Sequence, residues 1–133
     1  FNAVISGATG IIYFPQRIGG GFLYDNMNDQ VEAEMKSVNA RLARIGPALM
    51  SQRDPSTAGI TVSGSLKATW RRYNGKTYFI VLNNSTSSVT STMTTKGVSA
   101  SSASVDGESR SVAIRSGQIT DTFKPMEAHV YVV

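Results

Sequence analysis

Aromatic and cationic side chains concentrate around one predicted turn and could bind a sugar there. Asn74-Gly75 is the pair that a two-residue type I′ hairpin favours, because both residues take a positive φ in that turn. Aromatic faces stack on the C–H faces of pyranose rings, and cationic side chains donate hydrogen bonds to hydroxyls. The candidate ligand-binding residues are therefore the aromatics and cations beside this turn: Trp70, Tyr73, Tyr78, Arg71 and Lys67.

The predicted hairpin also determines which of these side chains share a face. With Tyr73 opposite Lys76, Trp70 pairs with Phe79 and points into a sheet core. The other face carries cationic, tyrosine and aliphatic side chains, and it is too apolar to face solvent alone: Lys67, Thr69, Arg71, Tyr73, Lys76, Tyr78, Ile80 and Leu82. Three arrangements are open: a helix covers this face, its tyrosines form a sugar platform, or each holds for a different half. A slipped register would add Trp70 to the platform.

The remaining residue types do not suit catalysis or metal binding. The chain has no cysteine, which excludes disulfides, a thiol nucleophile and cysteine-ligated metals. His129 is the single histidine and lies in a predicted terminal strand, where we expect a structural role. Asp106 and Glu108 flank a glycine in a predicted turn rather than facing each other across a cleft.

Charge and hydropathy exclude two further classes of partner. The net charge is +4, and the basic residues are scattered, with Arg71-Arg72 as the only adjacent pair. A nucleic-acid groove needs a denser basic stripe, so no nucleic acid is expected. No apolar run approaches the roughly 18 residues that cross a bilayer, so no membrane is expected either. Because residue 1 is Phe rather than Met, we expect a processed or truncated chain.

The first 54 residues predict a βα segment. Residues 10–14 form a continuous apolar run that is typical of a buried parallel strand. Apolar residues then recur at helical spacing, and Asn28 and Gly46-Pro47 are suitable start and stop signals. This pattern predicts one helix over about residues 28–45 with a single apolar stripe: Val31, Met35, Val38, Leu42 and Ile45.

Residues 55–133 predict an antiparallel β domain. They are rich in Val, Thr, Ser, Ile and Tyr, and turn signals recur at intervals of about ten residues. The predicted strands cover residues 59–63, 66–73, 76–83, 87–94, 99–105, 109–115, 118–123 and 128–133. The predicted fold class is mainly β: an immunoglobulin-like antiparallel β-sandwich with an N-terminal βα segment.

Several segments resemble a known architecture. Residues 5–14, the glycine-rich loop after them and the helix ending near residues 42–49 resemble the last strand and helix of a (β/α)8-barrel glycoside hydrolase. Residues 72–84 and 123–131 are similar to the β-sandwich that follows such barrels. The resemblance implies the C-terminal portion of a secreted, bacterial polysaccharide-degrading enzyme. The barrel strands that carry the catalytic carboxylates are missing, so we expect no enzymatic activity.

This resemblance implies a non-catalytic carbohydrate-binding module. Its expected partner is a plant or microbial polysaccharide or oligosaccharide of the β-glucan, xylan or mannan class. Calcium is a common structural partner of such sandwiches, but the acidic residues of 55–133 are too dispersed to name a site, and no cofactor is expected. Two alternatives stay open: a structural sandwich that braces the catalytic barrel, and a module that forms a homodimer through the apolar N-terminal segment.

Overall fold

A computed structural model describes residues 1–13 and 28–133 and contains two helices and eight strands in these ranges. The helices are α1 (Asn2–Ile5) and α2 (Asp29–Leu49). The strands are β1 (Gly59–Thr61), β2 (Leu66–Tyr73), β3 (Lys76–Asn83), β4 (Val89–Lys96), β5 (Ser102–Val105), β6 (Arg110–Ala113), β7 (Gln118–Phe123) and β8 (Ala128–Val132). Neither described helix is long and apolar enough to cross a membrane.

The strands form two antiparallel sheets, which confirms the predicted fold class. One sheet has three strands in the order β1-β4-β7, and the other has five in the order β2-β3-β8-β5-β6. The inner faces of both sheets supply the main core, because alternate residues of each strand point inward. Its largest fully buried side chains include Phe79, Met93, Ile119, Phe123 and Tyr131.

The central hairpin adopts the predicted register. Tyr73 pairs with Lys76, Trp70 with Phe79, and Leu66 with Asn83 along the full length of β2 and β3. Asn74 and Gly75 have φ values of 48° and 75°, as a type I′ turn requires. The local turn chemistry therefore determined which side chains of this hairpin share a face.

The predicted strand over residues 10–14 is wrong for its described part. Residues 10–13 have no regular secondary structure, and residue 14 lies outside the described residues. A buried parallel strand needs hydrogen-bonding neighbours on both sides, and the described strands all pair among themselves. Ile12 is 94% exposed as a result.

Helix α2 begins as predicted and ends later than predicted. The Asn28 side chain accepts a hydrogen bond from the backbone N–H of Val31 at 2.9 Å. The helix then continues through Gly46 and Pro47 to Leu49 instead of ending near residue 45. Pro47 lacks an N–H and therefore costs the helix a hydrogen bond. Burial of Ala48 against the rest of the protein and the bond from Met50 N to Gly46 O at 3.0 Å support the extra turn.

The C-terminal part of α2 covers the outer face of the five-stranded sheet, so the helix-covered alternative is confirmed there. Ile45 is buried together with Ile80 and Val130, and Leu49 and Tyr78 pack at the edge of this second apolar cluster. Towards its N-terminus the same stripe is open, with Met35 and Val38 half-buried and Val31 45% exposed among the described residues.

Arginine side chains hold α2 on the sandwich. Arg44 makes a bidentate ion pair with Asp106 in the β5–β6 turn. Its Nε and Nη2 atoms donate to the two carboxylate oxygens at 2.9 and 2.8 Å. Arg41 Nη2 donates to the carbonyl oxygen of Ala128 at 2.9 Å, and its guanidinium lies 5.0 Å from the centre of the Phe1 ring.

We expect Ile45→Ala to lower the free energy of unfolding by about 2–4 kcal/mol, because it opens a cavity in the second apolar cluster. Val31→Ala on the same helix is the matched control and should change it by less than about 0.5 kcal/mol. Chemical denaturation followed by the fluorescence of Trp70, the single tryptophan, measures both. Equal losses in the two variants would contradict this packing.

A second substitution tests the close backbone contact between the residue after β4 and the connector that precedes β1. Gly97 has a φ of 76°, and a Cβ atom there would lie 1.9 Å from the carbonyl oxygen of Thr57. Gly97→Ala should therefore cost at least about 2 kcal/mol of stability. Gly64 has a φ of 64° but open space around its Cβ position, so Gly64→Ala should cost only about 1 kcal/mol in the same denaturation experiment.

Candidate functional site

The five predicted ligand-binding residues do not form one surface. Trp70 is only 6% exposed and belongs to the sandwich core, so the structure removes it from any stacking platform. The cause is the hairpin register, which places Trp70 on the same face as Phe79. Tyr78 lies on the other face, where it packs beside Ile80 in the cluster below α2.

The remaining three candidates have separate environments. Arg71 donates through Nε to the carbonyl oxygen of Leu49 at 3.1 Å and is half-buried beside α2. Lys67 is exposed, with Nζ 3.2 Å from the side-chain oxygen of Asn2. Tyr73 is 37% exposed at the end of the hairpin. Of the three candidate aromatics, Tyr73 alone offers a large exposed surface.

The described part of the chain instead contains a polar cluster that the sequence analysis missed. We call it the ionic cluster; it joins β7 of the three-stranded sheet to β6 and β8 of the five-stranded sheet. Its members are Glu108, Arg110, Asp121, Glu127, His129 and Tyr131. The available signal was strand alternation, which puts Asp121 on the same inward face as Ile119 and Phe123, where a carboxylate requires partners.

Asp121 is the centre of the ionic cluster. Its carboxylate accepts two hydrogen bonds from Arg110, at 3.2 and 2.9 Å, and one from the Tyr131 hydroxyl at 2.8 Å. Burial alone would raise the pKa of Asp121, but the hydrogen bonds from Arg110, Tyr131 and the backbone N–H of Thr122 outweigh it, and the net pKa is lowered. Burial and the adjacent Asp121 charge raise the pKa of the Tyr131 hydroxyl.

His129 is buried within the same cluster and stacks on Phe123, with ring centres 4.6 Å apart. Its Nδ1 lies 3.1 Å from Arg110 Nη2, and its Nε2 lies 3.4 Å from a carboxylate oxygen of Glu127. The same Nδ1 also lies 3.1 Å from a carboxylate oxygen of Asp121, so both a donor and an acceptor face this nitrogen. This environment agrees with the structural role expected for His129.

The ionic cluster is suited to joining the sheets rather than to chemistry. Asp121 and Glu108 are both paired with Arg110, and Glu127 accepts a hydrogen bond from the backbone N–H of Lys124 at 2.7 Å. No group of three or more His, Asp or Glu side chains in residues 1–13 and 28–133 has an arrangement that could hold a metal ion. These residues therefore provide no candidate ligands for a structural calcium ion.

The apolar stripe of α2 is the other unusual surface. Val31, Met35 and Val38 line an open trough of about 520 Å³ together with Tyr13. The Tyr13 hydroxyl donates to the side-chain oxygen of Asn39 at 2.9 Å, which ties the N-terminal segment to the helix. The trough continues the face that is buried on the sheet farther along α2.

Comparison with known proteins identifies a shared fold but no family. No family model matches the chain, and no curated protein matches it. The crystal structure of an Anoxybacillus alpha-amylase is similar to it with a TM-score of 0.54 and 18% identity, covering 86% of this chain and 26% of the amylase. A GH42 beta-galactosidase is a weaker neighbour, with a TM-score of 0.41 and 9% identity over 87% of this chain and 13% of its own.

These structural neighbours are glycoside hydrolases, and this chain spans only about a quarter of the amylase. At 18% identity, the likeness to the amylase establishes a common fold. The resemblance predicted from the sequence is thus supported as a resemblance to part of a glycoside hydrolase.

Because the pKa of Asp121 is lowered, the contribution of the ionic cluster to the free energy of unfolding depends on pH. A carboxyl whose pKa is lower in the folded chain than in the unfolded chain stabilises the fold above the unfolded value and loses that effect as the pH falls. At neutral pH, we expect the unfolding free energy of the wild type to be about 1–3 kcal/mol larger than that of Asp121→Asn. The difference should shrink as the pH falls below the ordinary carboxyl pKa of 3.8.

Denaturant titrations of both proteins between neutral and acidic pH measure this difference. Glu34→Gln, on the exposed surface of α2, is the control and should differ from wild type by less than about 0.5 kcal/mol throughout. A difference between wild type and Asp121→Asn that stays constant down to acidic pH would contradict the role of the Asp121 charge.

Proposed function

We propose that this chain is a non-catalytic accessory domain of a secreted glycoside hydrolase and that its principal role is to pack against the catalytic barrel. The single observation that carries the proposal is the divided stripe of α2. One end of the stripe is buried on the sandwich through Ile45, and the other end, at Val31, Met35 and Val38, forms an open apolar trough. The proposed occupant of the trough is the barrel.

The physical argument concerns the cost of an exposed apolar stripe. A helix normally turns one apolar stripe towards a core and keeps its polar residues in solvent. In α2 the stripe extends beyond the sheet that buries its C-terminal part. A contiguous apolar surface of this kind is typical of a protein–protein interface. The fold shared with part of an amylase supports a barrel as that second surface.

Carbohydrate binding is the second candidate, and the exposure of Tyr73 favours it. This ring lies at the end of the hairpin, opposite the exposed Lys76 in the strand register. One aromatic and one cation can contact a single sugar unit. The candidate is weaker because Trp70 lies in the core and Tyr78 packs below α2.

Self-association is the third candidate and uses the exposed N-terminal segment. Ile12 is almost fully exposed, and Tyr13 is partly exposed beside the trough. A second copy of the chain could cover both residues. In this case the molar mass in solution would double, and substitution of Ile12 would restore the monomer.

The first experiment tests whether the trough is needed by the chain itself or is free for a partner. We expect the triple variant Val31→Gln, Met35→Gln, Val38→Gln to lose less than about 1 kcal/mol of stability and to bind less of an apolar fluorescent dye than wild type. A loss as large as that of Ile45→Ala would overturn the proposal, because the stripe would then belong to the core of this chain.

The second experiment separates the three candidate functions. We expect the chain to be monomeric by light scattering and to bind none of a panel of β-glucans, xylans and mannans. Saturable polysaccharide binding that is lost in Tyr73→Ala but kept in Lys67→Ala would instead establish a carbohydrate-binding module. A dimer that dissociates on Ile12→Gln substitution would establish self-association.

A further inference from the structure

A separate cavity of about 360 Å³ lies between the N-terminal segment, the C-terminal half of α2 and strand β2. Ligand pockets for small molecules commonly have volumes of about 300–1,000 Å³. Most of its lining is apolar and comes from the helix and the N-terminal segment: Val4, Ile11, Leu42, Leu49 and Met50. Polar groups come from Thr9, Asn39 and Arg71, and no acidic residue of the described part of the chain lines the cavity.

Arg71 is the only charged group that residues 1–13 and 28–133 contribute to the lining. Its Nε donates to the carbonyl oxygen of Leu49 at 3.1 Å, and its Nη1 donates to Thr69 Oγ1 at 2.9 Å and to the Trp70 carbonyl oxygen at 2.8 Å. All three acceptors are uncharged. Within residues 1–13 and 28–133, Arg71 has no ion pair, and its Nη2 atom has no hydrogen-bond partner.

The positive charge of Arg71 is therefore only partly compensated. The Leu49 carbonyl lies in the last turn of α2, and a helix C-terminus contributes about half a negative charge. Arg53 adds a further positive charge nearby, and burial together with this charge lowers the pKa of Arg71. In contrast, Arg110 in the ionic cluster has two carboxylate partners.

We propose that this cavity binds a small organic carboxylate that carries a short apolar stem. The carboxylate accepts hydrogen bonds from Arg71 Nη2, and the stem contacts the side chains of Leu42, Leu49 and Met50. A charge-assisted hydrogen bond from Nη2 to a carboxylate oxygen is stronger than one to a neutral acceptor, and the apolar lining favours an anion with a hydrocarbon part over a strongly hydrated inorganic ion. The proposal does not depend on the proposed function.

The test uses 4-methylpentanoate as the probe and 4-methylpentanamide as its uncharged equivalent. Titration of the full chain, followed by amide NMR shifts, should give at least tenfold tighter binding of the acid than of the amide, with shifts around residues 46–50 and 71. Equal binding of the two probes, or no shift by the acid at about 10 mM, would overturn the proposal.

Arg71→Met should abolish the preference for the acid, and Arg72→Met is the matched control. Arg72 is the next residue of β2, is exposed and points to the opposite face, so its loss should change the affinity less than twofold. A retained preference in folded Arg71→Met would overturn the assignment of the anion site.

A second variant keeps Arg71 in place in case its substitution unfolds the chain. Gly46 lines the cavity, and a Cβ atom at this position contacts nothing within 4 Å. Leucine is a better helix former than glycine, so Gly46→Leu should fill part of the cavity without loss of stability. We expect at least tenfold weaker binding of 4-methylpentanoate, and unchanged binding in the folded variant would overturn the location of the site.

An acidic side chain of another protein has the same carboxylate chemistry. The tripeptide acetyl-Leu-Glu-Leu-amide and its glutamine equivalent therefore form a separate arm of the titration. Weaker binding of the glutamate peptide than of 4-methylpentanoate supports a small acid as the ligand. Binding of the peptide more than tenfold tighter than the acid would overturn that assignment in favour of a protein segment.

Discussion

Strand β3 is buried on both faces, and the arrangement of the rest of the chain depends on this constraint. Phe79 and Val81 point into the core between the sheets, while Ile80 points to the opposite side and is equally inaccessible to solvent. Since alternate residues of a strand point to opposite faces, a second layer must cover Ile80. The C-terminal part of α2 provides that layer through Ile45. The surfaces available for function are therefore those that this layer leaves open.

Two arginines illustrate how differently the protein treats a partly buried positive charge. Arg110 lies between Glu108 and Asp121, so its charge is neutralised and helps to join the two sheets. Among the described residues, Arg71 donates only to uncharged oxygens, one at the end of α2 and two in β2. Removal of one partner from a pair of the first kind is destabilising, and a charge of the second kind beside an apolar cavity is suited to an anionic ligand.

The divided stripe of α2 relates the fold to the proposed accessory role. A helix that rests on the sandwich at one end and has an open apolar surface at the other can join two bodies within one larger protein. This chain matches only about a quarter of the length of the amylase that shares its fold. Under this proposal, the sandwich contributes a rigid platform for the helix, and Arg44 and Asp106 hold the helix in place.

Local chemistry in the sequence determined the β class, the hairpin register and the start of α2. The Asn74-Gly75 turn and the Asn28 cap act on residues within a few positions, so they can be read without knowing the fold. The exposure of each candidate residue was decided by tertiary structure. Tyr78 packs below α2, Asp121 meets Arg110 from another sheet, and residues 10–13 lack strand partners in the described chain, because each outcome depends on contacts between segments distant in sequence.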